Sequence, residues 1–128
     1  MINTDSQGRV VGFSHHDGEL VGVSLENRGT SVKIVLRSSG GDGYVLLLSG
    51  VRAFHMDAFR EGNIVHAIRV HSVGEARSAF DIPPLVQDRL GLDVTTLPSD
   101  AYVFLIEPSY GAAVVAVCRD VDVCAQQP

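Results

Sequence analysis

The chain has 128 residues, a formal net charge of −5 and 45% hydrophobic residues, with no tryptophan. That length suits a single domain, residues 1–128, able to bury roughly two-thirds of its unfolded surface, and the hydrophobic fraction excludes disorder as the main state. Its ten basic residues, of which Lys33 is the one lysine, are scattered without a run. A duplex binder needs clustered cations to displace counterions from phosphate, so no nucleic-acid partner is expected, and no anionic membrane surface either. No apolar run approaches the roughly 20 residues of a membrane-spanning helix, and the polar first residues lack a signal-peptide core. A cytoplasmic chain is the expectation.

In chain order, residues 1–6 are polar and expected to fray, and residues 9–13 read as a short strand weakened by Gly12. Ser14, His15, His16, Asp17 and Gly18 form a polar turn leading into the organising stretch, residues 19–71. There Val21, Val23 and Leu25 alternate with Leu20, Gly22, Ser24 and Glu26, the period-two pattern of a half-buried strand. Asn27, Arg28, Gly29 and Thr30 supply a short polar connection, after which Val32, Ile34 and Leu36 resume the alternation. The result is a hairpin. Residues 38–43, with three glycines, make a looser turn, and the apolar run 44–48 reads as a strand covered on both faces. Ser49-Gly50 suggests a bulge before Val51, Ala53 and Phe54 continue. Residues 57–62 read as one helical turn or a tight loop, and residues 63–71 as the fourth strand, with Ile64, Ile68 and Val70 on one face.

Val73-Gly74 is expected to turn the chain, with residues 76–80 pairing briefly at an edge. Residues 81–91 carry the one convincing helix: Asp81 can cap it, Pro83 and Pro84 suit its first turn, and Gly91 stops it. Leu85, Val86 and Leu90 give it a narrow apolar face that would lid the sheet, and residues 93–100 read as a connecting loop. A second hairpin follows. Tyr102, Phe104 and Ile106 alternate with Val103, Leu105 and Glu107, so both faces are apolar, and Pro108, Ser109, Tyr110 and Gly111 supply the turn. In the last strand Val115, Val117, Val121 and Val123 are read as sharing one side, with Arg119 intruding. The fold class is mainly β: an antiparallel meander curled into a sandwich or partial barrel of roughly six to eight strands, with one short helix.

The densest polar cluster is His15-His16-Asp17. A histidine beside a carboxylate can serve as a general base or bind metal, but adjacent turn residues point apart, and Asp17-Gly18 is an ordinary turn pair. His66 falls on the apolar parity of its strand and reads as a buried, neutral ring; His71 falls on the other, so the two cannot share one ion. His55, near the bulge, could approach the first cluster. The Ser-Gly-Gly-Asp-Gly run at 39–43 lacks the lysine and following helix of a P-loop and reads as a turn. Cys118 has no obvious histidine partner, and Asp120 and Asp122 read as solvated. An extended segment separates Cys118 and Cys124 by about 20 Å, too far for a disulfide, and no CxxC or HxxxH pattern supports zinc. No catalytic residue, metal or cofactor is assigned.

Three places carry a family resemblance: His16-Asp17 before an alternating hydrophobic strand, Gly62-Asn63-Ile64 opening the fourth strand, and Ser109-Tyr110-Gly111 in the last hairpin turn. In these the chain resembles a loose group of small, uncharacterised bacterial β-domain proteins, some of them presumed toxin-immunity proteins. Residues 81–100 lie outside the resemblance. It implies a protein-binding module rather than an enzyme, with His16, Asp17, Asn63 and Tyr110 as a recognition patch if the fold brings them together, or as turn staples if it does not. Two alternatives stand beside this: a small-molecule-binding protein or small enzyme with a pocket inside the curled sheet, and a homodimer formed through exposed strand edges.

Overall fold

Period-two alternation places β1 (Glu19–Glu26) against β2 (Ser31–Arg37) in an antiparallel hairpin. The turn between them closes because Asn27, Arg28 and Gly29 all take left-handed φ, at 50°, 58° and 87°. β3 (Gly43–Ser49), β4 (Ala53–Asp57) and β5 (Asn63–Ser72) follow, then two short helices, α1 (Val73–Ser78) and α2 (Ile82–Leu90). β6 (Tyr102–Tyr110), β7 (Ala113–Cys118) and β8 (Asp120–Ala125) complete the chain in this computed structural model, which describes residues 1–126. All eight strands join one antiparallel sheet in the order β4-β7-β6-β5-β1-β2-β3-β8.

The curl comes from two bends. β3 passes into β4 through residues 50–52, where Gly50 takes φ 61°, and β7 passes into β8 through Arg119 alone. The bends face each other: Arg119 N donates to Ser49 O (2.9 Å) and Arg52 N to Val117 O (2.8 Å). The β3–β8 pair at one end of the order therefore continues as the β4–β7 pair at the other. The sheet wraps around its contents through this bent ladder without closing into a barrel.

Inside the curl lies the main core, where Val32, Ile34, Leu46, Leu48, Ile68, Phe104, Val114, Ala116 and Val121 are fully buried. Each large aliphatic or aromatic side chain so placed stabilises the fold by roughly 1.5–3 kcal/mol relative to exposure. A second core forms on the outer face of β6 and β7. There Val103, Leu105, Val115 and Val117 meet Val73 and Ala76 of α1, Ile82 and Val86 of α2, and Val94 and Leu97 of the loop beyond. No helix among the described residues is long and apolar enough to cross a membrane.

Several expectations are corrected, mostly by bulges that shift side-chain parity. In β1 the register slips between Leu20 and Gly22, so Leu20 faces the core and Val21 is 40% exposed. Two slips in β5, between Ile64 and Val65 and between Val65 and Ala67, bury Val65 and turn His66 out to solvent, while His71 is buried. The bend at Arg119 puts Val115 and Val117 under the helices but Val121 inside the curl, so these valines do not share a side. In β3 only Leu46 and Leu48 are buried, and its other face is partly open.

The N-terminal stretch is held, with Ile2 buried and its N–H donating to Val121 O at 2.7 Å, and Met1's amino group meets Asp120 and Asp122. Residues 9–13 make only bridges, Thr4 to Val10 and Arg9 to Arg69. Residues 73–78 form a helix instead of a turn and edge strand, because Ser72 and Glu75 complete a capping box. Of α2's expected signals, the two prolines and Gly91 (φ 66°) act as read, but the Asp81 side chain does not cap. The loop after β4 is tight and non-helical, and Val94–Thr96 is a single helical turn capped by Asp93.

Candidate functional site

The polar turn before β1 is welded to β5. Asp17 N donates to Val65 O (2.9 Å) and Val65 N to Gly18 O (2.8 Å), and the His16 Nδ1–H donates to His66 O (2.8 Å). Asp17 takes φ 61°, a left-handed conformation that costs a non-glycine residue roughly 1 kcal/mol or more. The bulge that exposes His66 brings its ring edge-on to His16, with centroids 5.4 Å apart, and His16 Nε2 stands 3.6 Å from Asp17 Oδ2. The side chains of His16 and Asp17 are 61% and 66% exposed, so the three residues present one fixed polar surface. His15 turns away to donate from Nε2 to Val10 O (2.9 Å) and packs tilted, at 58°, against Phe13. A cleft of about 290 Å³ runs between this turn, Asp5 and Arg9 on the outer side of β5.

Asn63 is not part of that surface. It is buried, with Oδ1 accepting from Arg60 N (2.7 Å) and Ala112 N (3.0 Å) and Nδ2 donating to Arg60 O (2.6 Å). A side chain so fully bonded is a staple between the 58–62 loop and the β6–β7 turn. A Cβ at position 111 would collide with its Oδ1, which accounts for Gly111 there. Tyr110 pairs with Ile64 through the backbone and is 55% exposed. Of the four residues singled out from the sequence, His16 and Asp17 meet each other and His66, while Asn63 and Tyr110 serve the opposite turn.

A second polar cluster, missed in the sequence, lies beneath α2 on the outer face of the sheet. Arg69 Nη1 donates to Asp81 Oδ2 (2.9 Å) and Glu107 Oε1 (2.8 Å), and Arg69 Nε donates to His71 Nε2 (3.2 Å). The bond from Arg69 holds the Asp81 carboxyl below the usual range and, together with Glu107, raises Arg69 itself. Burial first, then the Arg69 charge, pushes His71 down, consistent with a neutral ring accepting from a guanidinium. At the other end of α2, Arg89 Nη1 lies 3.5 Å from Asp57 Oδ2, and His55 Nε2 lies 3.6 Å from the same atom. His55 therefore joins this cluster rather than the His15-His16 turn. Its register opposite Val115 aims it at the outer layer.

The remaining chemistry is muted. Among the described residues no group of three or more His, Cys, Asp or Glu side chains is arranged to hold a metal ion. Both cysteines are free; Cys118 is buried and its thiol is pushed up to about 12 by that burial, whereas Cys124 is exposed. One backbone feature stands out. β1 pairs with β2 along its whole length, but with β5 only at Glu19 and Leu20. Beyond the bulge, residues 22–26 present an open strand edge. Val21 (40% exposed) and Leu25 (62%) flank it, and Phe59 (49%) lies with Val21 along a cleft of about 460 Å³ against the 58–62 loop. No protein-family model, curated protein or solved structure matches the chain.

Proposed function

We propose that the chain is a non-catalytic interaction module that binds a protein partner through the open edge of β1 and the polar turn preceding it. The observation that carries this reading is that β1 runs on past Asn63, the first residue of β5, after two paired residues, which leaves main-chain donors and acceptors unspent beside apolar side chains. Such an edge accepts an added strand: backbone bonds supply affinity and flanking side chains supply selectivity. His16, Asp17 and His66, held by backbone bonds and exposed, add a rigid polar contact. The net charge of −5 suits a basic partner and would speed its association more than it tightens the complex. The resemblance to small bacterial β-domain proteins makes a cytoplasmic immunity protein, bound to a basic toxin, the specific form of this proposal.

The test is co-purification of the chain with the product of its neighbouring gene at native expression and low salt. A one-to-one complex is expected, weakened at least tenfold by V21K/L25K, which blocks the edge with charge while changing stability by less than about 1 kcal/mol. H16A/D17A should weaken it by a smaller factor. Repeated failure to recover a partner, or a complex indifferent to V21K/L25K, would overturn the reading; self-association blocked by V21K/L25K would replace it with the homodimer.

A further inference from the structure

We infer that the cleft beneath α2 binds a small, neutral, largely apolar molecule carrying one hydrogen-bonding group, about the size of a phenol. The cleft holds about 200 Å³ between Leu85 of the helix and Leu105 and Val115 of the sheet. An engineered cavity of about 150 Å³ is enough for benzene, so the space exceeds what one or two waters need. Its walls are mainly aliphatic, and apolar clefts with a few converging polar groups are the usual form of a ligand site.

Three features distinguish this space from a packing fault. α2 is spaced from the sheet at both ends, where Asp81 bonds Arg69 at its start and Arg89 meets Asp57 at its end. The charges on the rim are matched, Glu107 by Arg69 and Asp57 by Arg89, so a net charge on the ligand finds no counterpart. His55 Nε2, at the cleft wall, is shielded from solvent and has no hydrogen-bond partner; its 3.6 Å separation from Asp57 is too long for one. Shielded polar atoms are nearly always paired; the His55 side chain lines the cleft and is 37% exposed, so a turn of its ring towards a ligand hydroxyl would supply the missing bond. The cleft is independent of the β1 edge: it lies over β4, β7 and β6, with β5 between them and β1 in the strand order.

The experiment titrates the full chain with phenol and, separately, with toluene, which has the same shape but no hydroxyl. Methyl NMR signals of Leu85, Leu105 and Val115 report on the cleft. Phenol is expected to give saturable shifts at these methyls, with a dissociation constant on the order of 1 mM or below. His55→Phe should weaken phenol about tenfold and leave toluene within about threefold, because only phenol uses the ring nitrogen. Leu85→Trp should abolish both by filling the space; if it unfolds the chain, Ala113→Leu fills the cleft from the sheet side. No saturable shift with either probe, shifts that map elsewhere, or an equal effect of His55→Phe on both probes would overturn the assignment.

Discussion

The two halves of the sheet use the same kind of strand to different ends. β2 buries Val32, Ile34 and Leu36 and sends Lys33 and Arg37 to solvent, so it has one covered face. β6 buries four residues in succession, 103 to 106, because Phe104 and Ile106 enter the curl while Val103 and Leu105 meet the helices. The apolar outer face of β6 and β7 recruits α1 and α2, and the covering layer then encloses side chains that would otherwise be hydrated. The shielded His55 Nε2 and the bridging Arg69 lie by this layer, while the buried His71 ring packs against Gly8 of the N-terminal stretch. On the β2–β3 half, the corresponding outward positions stay partly open, as at Val35, Val45 and Leu47, or fully exposed, as at Lys33.

The largest effect that would sharpen this contrast is in the interior. Phe104→Ala should cost roughly 3–5 kcal/mol in urea unfolding, because the removed ring leaves a cavity enclosed on all sides. Leu47→Ala, on the partly open face of β3, should cost less than about 1 kcal/mol. Equal losses would erase the distinction between one-sided and two-sided strands.

A smaller effect reads the polar layer through pH. His71 has its folded pKa lowered below the ordinary 6.5 by burial and Arg69. An unfolded chain therefore takes up the proton first as pH falls, so the contribution of His71 is complete above about 6.5 and is lost as pH drops from there towards its folded value. Asp81, lowered by Arg69, adds stability that persists until pH falls through the carboxylate range. Unfolding measured between pH 7.5 and 5 should show a decline that His71→Gln reduces. An unchanged slope would mean that the ring is hydrated and the layer open.

The mildest probe perturbs nothing. Iodoacetamide at neutral pH should label Cys124 and spare Cys118 until the chain unfolds, because Cys118 is buried with its thiol pushed up to about 12. Rapid labelling of both would show that the bend at Arg119 opens readily.

Much of the architecture was legible in residue pattern. The hairpin at 19–37, the glycine bend after Ser49, the two-sided run in β6 and the Pro-Pro to Gly91 helix all follow from local chemistry that the fold respects. What escaped were the places where register slips. A bulge is set by how a strand meets its neighbours rather than by its own composition, so the parity of residues 64–70 pointed to His66 as buried, whereas it is exposed, and His71 on the other parity is the buried ring. Asp81 read as a helix cap because its position fits one, but a long-range partner, Arg69, claims its carboxylate. At the candidate site, His16-Asp17 was visible as an adjacent pair. The addition of His66, the burial of Asn63 and the His55–Asp57–Arg89 group required knowing which strands lie side by side.

Amide hydrogen exchange tests most directly whether the layer over β6 and β7 is held by ion pairs that run from the two ends of α2 to Arg69 on β5 and Asp57 on β4. The amides of Leu105 and Val115 should exchange only through global unfolding, while those of Val86 and Leu90 open more readily as a separate unit. R69M/R89M should speed exchange in α2 by about tenfold or more and leave β2 and β3 unaltered. Exchange in α2 that matches the sheet and does not respond to R69M/R89M would contradict the account.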